Sequence, residues 1–138
     1  MMEKEIEQLI DQAIKGRSFA YTPYSKFKVG AAIRLKDGTY ITGCNIENIS
    51  YGLTNCAERT ALFKMVSMGY RKDDVDMMAI VANTAEPVSP CGACRQVMAE
   101  LLASDTKICL ANIQKDYRMT SVSELLPDAF EEIENAGK

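Results

Sequence analysis

Three cysteines and one glutamate are the residues of this sequence whose types and spacing could do chemistry. Cys91 and Cys94 follow Pro90 as a Cys-x-x-Cys pair, and Cys56 precedes Glu58 by two residues. An apolar helical pattern starts at each place, and helix N-termini present free N–H groups that favour thiolate over thiol. If the two N-termini converge, three thiolates can hold one Zn²⁺ and leave its fourth position open to water, as in catalytic zinc sites.

Glu58 is the residue that would give such a metal site a reaction. It falls in the first turn of the helix that Cys56 opens, so its carboxylate lies beside the metal without binding it. From there it can take a proton from zinc-bound water and deliver it to a ring nitrogen, and then to a departing amine. A metal ligand, any residue, glutamate and a later Pro-Cys-x-x-Cys segment form the pattern of zinc deaminases.

The composition leaves this chemistry to thiolates and a carboxylate. The 138 residues include no histidine, which is the usual general base and the commonest zinc ligand of proteins. The cysteine count is five, an odd number without a secretory signal, which disfavours a disulfide framework. Any acid–base step is therefore expected to use a carboxylate, and any metal site to use cysteines.

Each of these residues also has a simpler interpretation. A lone Cys-x-x-Cys occurs in redox sites as well as zinc sites, and a structural four-cysteine site would recruit Cys44 or Cys109. Both of those lie in predicted strands, where a single cysteine is more often a small buried apolar residue. Glu58 alone could be a charge that the helix dipole stabilises. The three features together, in this order and spacing, favour the catalytic interpretation.

Arg59 is a candidate for tuning the metal. Zn²⁺ with three thiolates carries a net negative charge, so it acidifies water less than Zn²⁺ with neutral ligands does. Arg59 follows Glu58 directly, and donation of its guanidinium hydrogens to the thiolates would withdraw charge from them. The alternative is a helix cation that contacts only solvent.

The elements that must position these residues follow from the apolar periodicity. Helices are predicted at 3–18, 56–68, 91–103 and, capped by Ser121 or Ser123, around 124–126. Strands are predicted at 27–35, 40–44, 75–82, 107–112 and 117–120, while 45–55 is expected to be irregular. Their order predicts an α/β fold: a single three-layer α/β/α domain over residues 1–138, with a mixed sheet of about five strands.

Charge and hydropathy exclude several classes of protein. The net charge is −3 and no basic run is present, which argues against binding to a phosphate backbone. No apolar stretch reaches membrane length, and residues 1–10 are too charged for a signal peptide. We therefore expect a cytoplasmic protein whose substrate is a small molecule.

Four segments resemble the small, homotetrameric class of cytidine deaminases, and the likeness extends over nearly the whole chain. The segments are Tyr24-Ser25-Lys26-Phe27-Lys28-Val29-Gly30-Ala31-Ala32, Gly43-Cys44-Asn45-Ile46-Glu47-Asn48, Asn55-Cys56-Ala57-Glu58-Arg59-Thr60-Ala61 and Ser89-Pro90-Cys91-Gly92-Ala93-Cys94-Arg95-Gln96. Together they are far more specific than the zinc pattern alone. The resemblance implies a cytidine-deaminase-like fold and one Zn²⁺ per subunit, bound by Cys56, Cys91 and Cys94, with Glu58 as the proton shuttle.

The resemblance also implies a substrate site. It implies that Asn45 and Glu47 bind the ribose hydroxyls. In an extended segment, the side chains of residues i and i+2 point to the same side, so both could reach one sugar. Turn chemistry is the alternative for Asn45, and plain core packing is the alternative for Phe27, which the resemblance places against the base. The Ala57 N–H and the Cys91 carbonyl would meet the edge of the base.

Subunit contacts are implied by the resemblance as well. Phe130 would reach the active site of a neighbouring subunit, and Tyr51 would lie at a subunit contact. From the residues alone, Phe130 is an apolar side chain near the C-terminus that could equally cover its own core. The homotetramer therefore depends on the family likeness.

The predicted activity is hydrolytic deamination of cytidine and deoxycytidine to uridine and deoxyuridine, in pyrimidine salvage. A related deaminase of another amine, such as blasticidin S, shares the zinc pattern, but the Asn45-x-Glu47 pair favours an ordinary nucleoside. A tRNA adenosine fits poorly with the negative net charge. A non-catalytic zinc-binding module is the alternative outside enzymes, and the intact Glu58 argues against it.

Overall fold

The computed structural model describes residues 3–130 of the chain. The helices are α1 (Lys4–Arg17), α2 (Ala57–Ser67), α3 (Gly92–Leu101) and α4 (Val122–Leu125). The strands are β1 (Val29–Leu35), β2 (Tyr40–Cys44), β3 (Val75–Ala82), β4 (Lys107–Asn112) and β5 (Tyr117–Ser121). All the predicted helices and strands are present, and two short 3₁₀ turns that were not predicted, Tyr51–Leu53 and Lys72–Asp74, precede α2 and β3.

The five strands form one mixed sheet in the order β2-β1-β3-β4-β5. β1 is antiparallel to both β2 and β3, β3 is parallel to β4, and β5 is antiparallel to β4. It follows that β2, β3 and β4 run in the same direction. Because α2 follows β2 and α3 follows β3, both helices start from the carboxyl edge of the sheet, where the amino end of β1 also lies.

Helices cover both faces of this sheet, as the three-layer prediction requires. α1 buries one apolar side against β1, β3 and β4, through the residues Ile6, Leu9, Ile10, Ala13, Ala32, Ala79, Val81, Cys109 and Ala111. α2, α3 and α4 bury theirs on the opposite face, where the large members are Ile33, Leu62, Met65, Met78, Ile80, Met98, Leu102 and Ile108. Alternate residues of a strand point to opposite faces, so Ala32 and Ile33 belong to different cores.

Glycines let the helices on the two faces lie directly on the strands. At Gly43 in β2, a Cβ atom would fall 2.5 Å from the Ala61 nitrogen and 2.6 Å from the Ala57 carbonyl oxygen of α2. At Gly30 in β1, it would fall 2.1 Å from the Ala13 carbonyl oxygen of α1. Any side chain at Gly43 would therefore push the first turn of α2 away from the sheet.

The start of β1 differs from the prediction by two residues. The strand was expected from residue 27, but it begins at Val29. Phe27 does not pair with a neighbouring strand, because its N–H donates to the Ser25 hydroxyl and its carbonyl accepts from the Asn45 side chain. At the other end of the chain, Ser121 rather than Ser123 is the N-cap of α4 and accepts from the Glu124 N–H.

Within residues 3–130, no helix combines the length and apolarity that crossing a membrane requires.

Candidate active site

The N-termini of α2 and α3 converge, and they bring three cysteines together. Cys56 is the N-cap residue of α2 and Cys91 that of α3; both have extended backbone, and neither makes a side-chain cap hydrogen bond. Cys94 lies one turn into α3 and is fully buried. The three Sγ atoms lie within 4.8 Å of one another, and those of Cys91 and Cys94 are 3.5 Å apart.

This cluster fits a zinc ion. Zn–S bonds of 2.3 Å in a tetrahedral site place sulfur atoms about 3.8 Å apart, which is close to the spacing found here. Among residues 3–130, no fourth potential ligand joins the three cysteines. Cys109 is buried in the core beneath α1 and Cys44 ends β2, so the four-cysteine structural site is not formed. Three thiolates leave one coordination position open, as catalytic zinc requires.

Hydrogen bonds prepare the cysteines for metal binding. The Cys94 thiol, followed by the Arg59 guanidinium group, lowers the pKa of Cys56 to about 5 by donating hydrogen bonds to its sulfur. The same hydrogen bond, together with burial, raises the pKa of Cys94. In the absence of metal, this hydrogen bond favours the thiolate at Cys56 and the thiol at Cys94.

Arg59 contacts the cluster and not only solvent. Its Nη2 lies 3.4 Å from the Cys56 sulfur, and this contact is the main cause that raises the pKa of the guanidinium group. Its Nε is buried and has no hydrogen-bond partner within the described part of the chain. The Arg59 guanidinium group is thus held at hydrogen-bond distance from a sulfur of the cysteine cluster.

Glu58 lies in the first turn of α2 and is 4% exposed. Burial, and then the negative charge of Cys56, raise the pKa of its carboxyl group. The Cys94 side chain is near enough to exert the opposite effect. The carboxyl group therefore lies beside the cysteine cluster, shielded from bulk water.

A cavity of about 180 Å³ opens beside Glu58 and the cysteines. Four other residues named from the sequence line it or its rim: Phe27, Asn45, Ala57 and Cys91. Val88 and Ser89 line it too, and the sequence analysis did not single them out. Ser89 could have been predicted to line the site, because it directly precedes the Pro90-Cys91 pair. Nothing in the sequence marks Val88 as a site residue.

Asn45 and Glu47 bind the backbone of the segment that carries Phe27. Asn45 Oδ1 accepts from the Val29 N–H at 2.9 Å, and its Nδ2 donates to the Phe27 carbonyl at 2.8 Å. Glu47 Oε1 accepts from the Tyr24 and Ser25 N–H groups at 3.1 and 3.0 Å. The bond from the Ser25 hydroxyl to Glu47 is the main cause that lowers the pKa of this carboxyl group.

Glu47 lies in a second cavity that adjoins the first. This cavity has a volume of about 260 Å³, and Tyr24, Ser25, Tyr51 and Thr54 complete its lining. Thr54 lines both cavities, so the two lie on either side of this residue.

Two residues named from the sequence lie away from the metal cluster. Phe130 is 65% exposed, and its carbonyl oxygen accepts from Gln96 Nε2 at 3.2 Å. It lines neither cavity of its own chain. Tyr51 is 73% exposed and makes an edge contact with Tyr24, with ring centroids 6.1 Å apart.

The fold and the site together define a class of protein. The two helix N-termini of this three-layer α/β/α domain bring three cysteine sulfurs together beside a buried glutamate, and these are the residues of a zinc-dependent deaminase site. Residues 3–110 match the family model described as cytidine and deoxycytidylate deaminase zinc-binding region. The chain belongs to this family.

Individual relatives agree with the family match. The chain is 62% identical over 124 residues to the cytidine deaminase of Halalkalibacterium halodurans, covering 90% of this chain and 92% of the relative. It is 53% identical over 126 residues to the cytidine deaminase of Sporosarcina psychrophila, covering 91% of each. The crystal structure of the cytidine deaminase from Burkholderia pseudomallei superposes with a TM-score of 0.88 at 52% identity, covering 94% of this chain and 100% of that one.

Proposed function

We propose that this chain deaminates cytidine and deoxycytidine by hydrolysis, giving uridine or deoxyuridine and ammonia. The family match and the relatives named cytidine deaminase support this activity. The observation that carries the proposal is the buried Glu58 carboxylate in a cavity that Cys56 and Cys91 also line. We further propose that the reaction serves pyrimidine salvage in the cytoplasm.

Cys56, Cys91 and Cys94 are the proposed zinc ligands. When bound, Zn²⁺ lowers the pKa of a water molecule into the neutral range and so supplies the nucleophile. The proposed role of Arg59 is to offset the negative charge of the thiolates, and its 3.4 Å contact with Cys56 supports this. The N–H groups at the start of α2 and α3 act in the same direction.

Glu58 is the proposed proton carrier. Because burial raises the pKa of its carboxyl group, the group is a better proton acceptor than an exposed glutamate, and it can pass the proton on to the substrate. It takes one proton from the attacking water and passes it to N3 of the base. A second proton, from the hydroxyl group then on C4, passes through Glu58 to the departing amino group. The C4–N bond breaks and ammonia leaves, so that atoms and charge balance.

The proposed substrate contacts divide between the two adjoining cavities. The base lies in the cavity of Glu58, with the Phe27 ring against it and the Ala57 N–H and Cys91 carbonyl at its edge. The Ala57 N–H is free for this contact because the first N–H groups of a helix have no partner within it. The ribose extends toward Glu47 in the second cavity, and Asn45 lines the first.

The proposed assembly is a homotetramer of single-domain subunits. Large exposed apolar side chains follow one another in the loops before β1 and before α2: Phe19, Tyr21, Tyr24, Ile46, Ile49, Tyr51 and Leu53. A contiguous apolar surface of this kind is typical of protein interfaces. A second copy of the chain is its proposed partner, with Tyr51 at the contact and Phe130 reaching the active site of a neighbour. Light scattering that gave a fully active monomer would contradict this assembly.

Loss of cytidine absorbance in the ultraviolet tests the activity directly. Purified protein with about one zinc per chain should convert cytidine and deoxycytidine, and Glu58→Gln should abolish conversion while keeping the zinc. Glu100→Gln is the matched control, since Glu100 is an exposed residue of α3 outside both cavities. Bound zinc without conversion of either nucleoside would refute the proposed substrate and leave the metal site intact.

A further inference from the structure

The Ser25 hydroxyl group links a residue of one cavity to a residue of the other. It donates a hydrogen bond to Glu47 Oε2 and accepts one from the Phe27 N–H at 3.0 Å. The Ser25 N–H also donates to Glu47 Oε1 at 3.0 Å. One exposed serine is thereby bonded to the carboxylate at the proposed ribose site and to the backbone of the aromatic residue at the proposed base site.

The backbone between these contacts adopts a conformation that needs support. Lys26 has a φ of 61°, in the left-handed region that residues with a Cβ atom rarely adopt. Such conformations persist where the surrounding contacts over-determine them. The Lys26 N–H bonds to the Thr22 carbonyl at 3.1 Å, and the hydrogen bonds of Ser25 fix the two flanking residues. The turn that directs Phe27 into its cavity thus depends on the Ser25 hydroxyl.

We propose that Ser25 is a positioning residue that couples Glu47 to Phe27 and so sets how tightly the nucleoside binds. The inference rests on the proposed function and goes beyond it: Ser25 lines the cavity of Glu47 and not that of Glu58, and the proposed substrate contacts do not include it. Without the hydroxyl group, Glu47 loses a donor and the Phe27 N–H loses its acceptor. Nucleoside binding should therefore weaken. The rate of the chemical step should stay the same, because the zinc ligands and Glu58 keep their contacts.

Kinetics of three variants test the proposal. Ser25→Ala should raise KM for cytidine about 10-fold, since hydrogen bonds to charged groups are among the stronger ones, and should change kcat by less than about twofold. Ser25→Thr keeps a hydroxyl group and should restore KM to within about threefold of the wild-type value. Ser67→Ala is the matched control, because that exposed hydroxyl bonds only the Lys64 carbonyl, at 2.9 Å, near the far end of α2.

Amide hydrogen exchange tests the contact itself, whether or not the protein acts on cytidine. The Phe27 N–H should exchange about 10-fold faster in Ser25→Ala than in the wild type, and at the wild-type rate in Ser67→Ala. An unchanged exchange rate, an unchanged KM, or a loss confined to kcat would each overturn the role of Ser25. A wild-type protein that holds zinc but does not deaminate cytidine would instead refute the proposed function.

Discussion

The two faces of the sheet carry helices built from the same apolar periodicity, yet within residues 3–130 the cysteine cluster lies on one face alone. Beneath α1, residues such as Leu9 and Ile10 pack on the sheet, and neither end of the helix carries a metal ligand. On the other face, α2 and α3 pack equally well through Leu62 and Met98, but their N-termini meet and present three sulfurs. An apolar stripe fixes where a helix packs, whereas its first turn determines what it can do.

Replacement of a buried cysteine on each face should give the largest contrast. Cys94→Ala removes a metal ligand, so zinc should fall from about one per chain to near zero and turnover should vanish. Cys109→Ala removes a buried thiol on the α1 face, so it should keep zinc and kcat while losing about 1 kcal/mol of stability. Metal analysis and the ultraviolet assay measure both. Loss of zinc in Cys109→Ala would contradict the claim that the α1 face has no part in metal binding.

A large deletion under α1 should cost stability without touching the reaction. Leu9 is 1% exposed, and Leu9→Ala should lower the free energy of unfolding by about 3 kcal/mol because it leaves a cavity. Denaturant unfolding gives this value, and the zinc content normalises the assay. If kcat per zinc-loaded chain dropped more than about threefold, the two faces would be coupled and the comparison would fail.

Removal of a charge on the face of α2 and α3 should lower turnover without a large loss of stability. Arg59→Gln should lower kcat about 10-fold with zinc retained, because a cation that withdraws charge from Cys56 is lost. Lys64→Gln removes an exposed cation farther along the same helix and serves as the control. Unchanged turnover of the zinc-loaded Arg59 variant would remove the electrostatic role.

The smallest effect is expected at an exposed ion pair of α1. Lys115 lies 2.8 Å from Asp11 and 3.3 Å from Glu7, and its hydrogen bond with Asp11 is the main cause that raises its pKa. A raised pKa means that the pair stabilises the fold below the ordinary lysine pKa and ceases to do so as the pH rises through the folded value. Lys115→Gln should therefore lower the melting temperature slightly at pH 7, with unchanged kcat. The difference from the wild type should disappear once the pH exceeds the raised pKa of Lys115.

The fold and the metal cluster could be predicted because local signals specify them. Apolar periodicity marks the helices and strands, and the convergence of Cys56 with Cys91 and Cys94 follows from two helices that start at one sheet edge. Glu58 could be predicted as a site residue from its position in the first turn of α2, two residues after Cys56. These predictions depend on near neighbours in the sequence and on one simple topology.

The support of the substrate cavities could not be predicted in the same way. Asn45 and Glu47 were expected to face a ribose, and the structure adds that both bind the backbone of residues 24–29. This contact depends on a left-handed Lys26, and a lysine gives no sign of that conformation. The same turn is the reason that β1 starts later than its apolar pattern indicated.

The N-cap positions of α2 and α3 have a consequence for folding. Serine, threonine or aspartate usually satisfies the first N–H groups there, and a residue that does not do so costs about 1 kcal/mol. Cys56 and Cys91 make no such bond. A zinc ion bound by both sulfurs would instead stabilise these two helix ends by linking them to each other. The stability of the fold would then depend on the concentration of free zinc. Each tenfold rise above the dissociation constant adds about 1.4 kcal/mol to the unfolding free energy. Zinc shortage would therefore lower the stability of the fold as well as the activity.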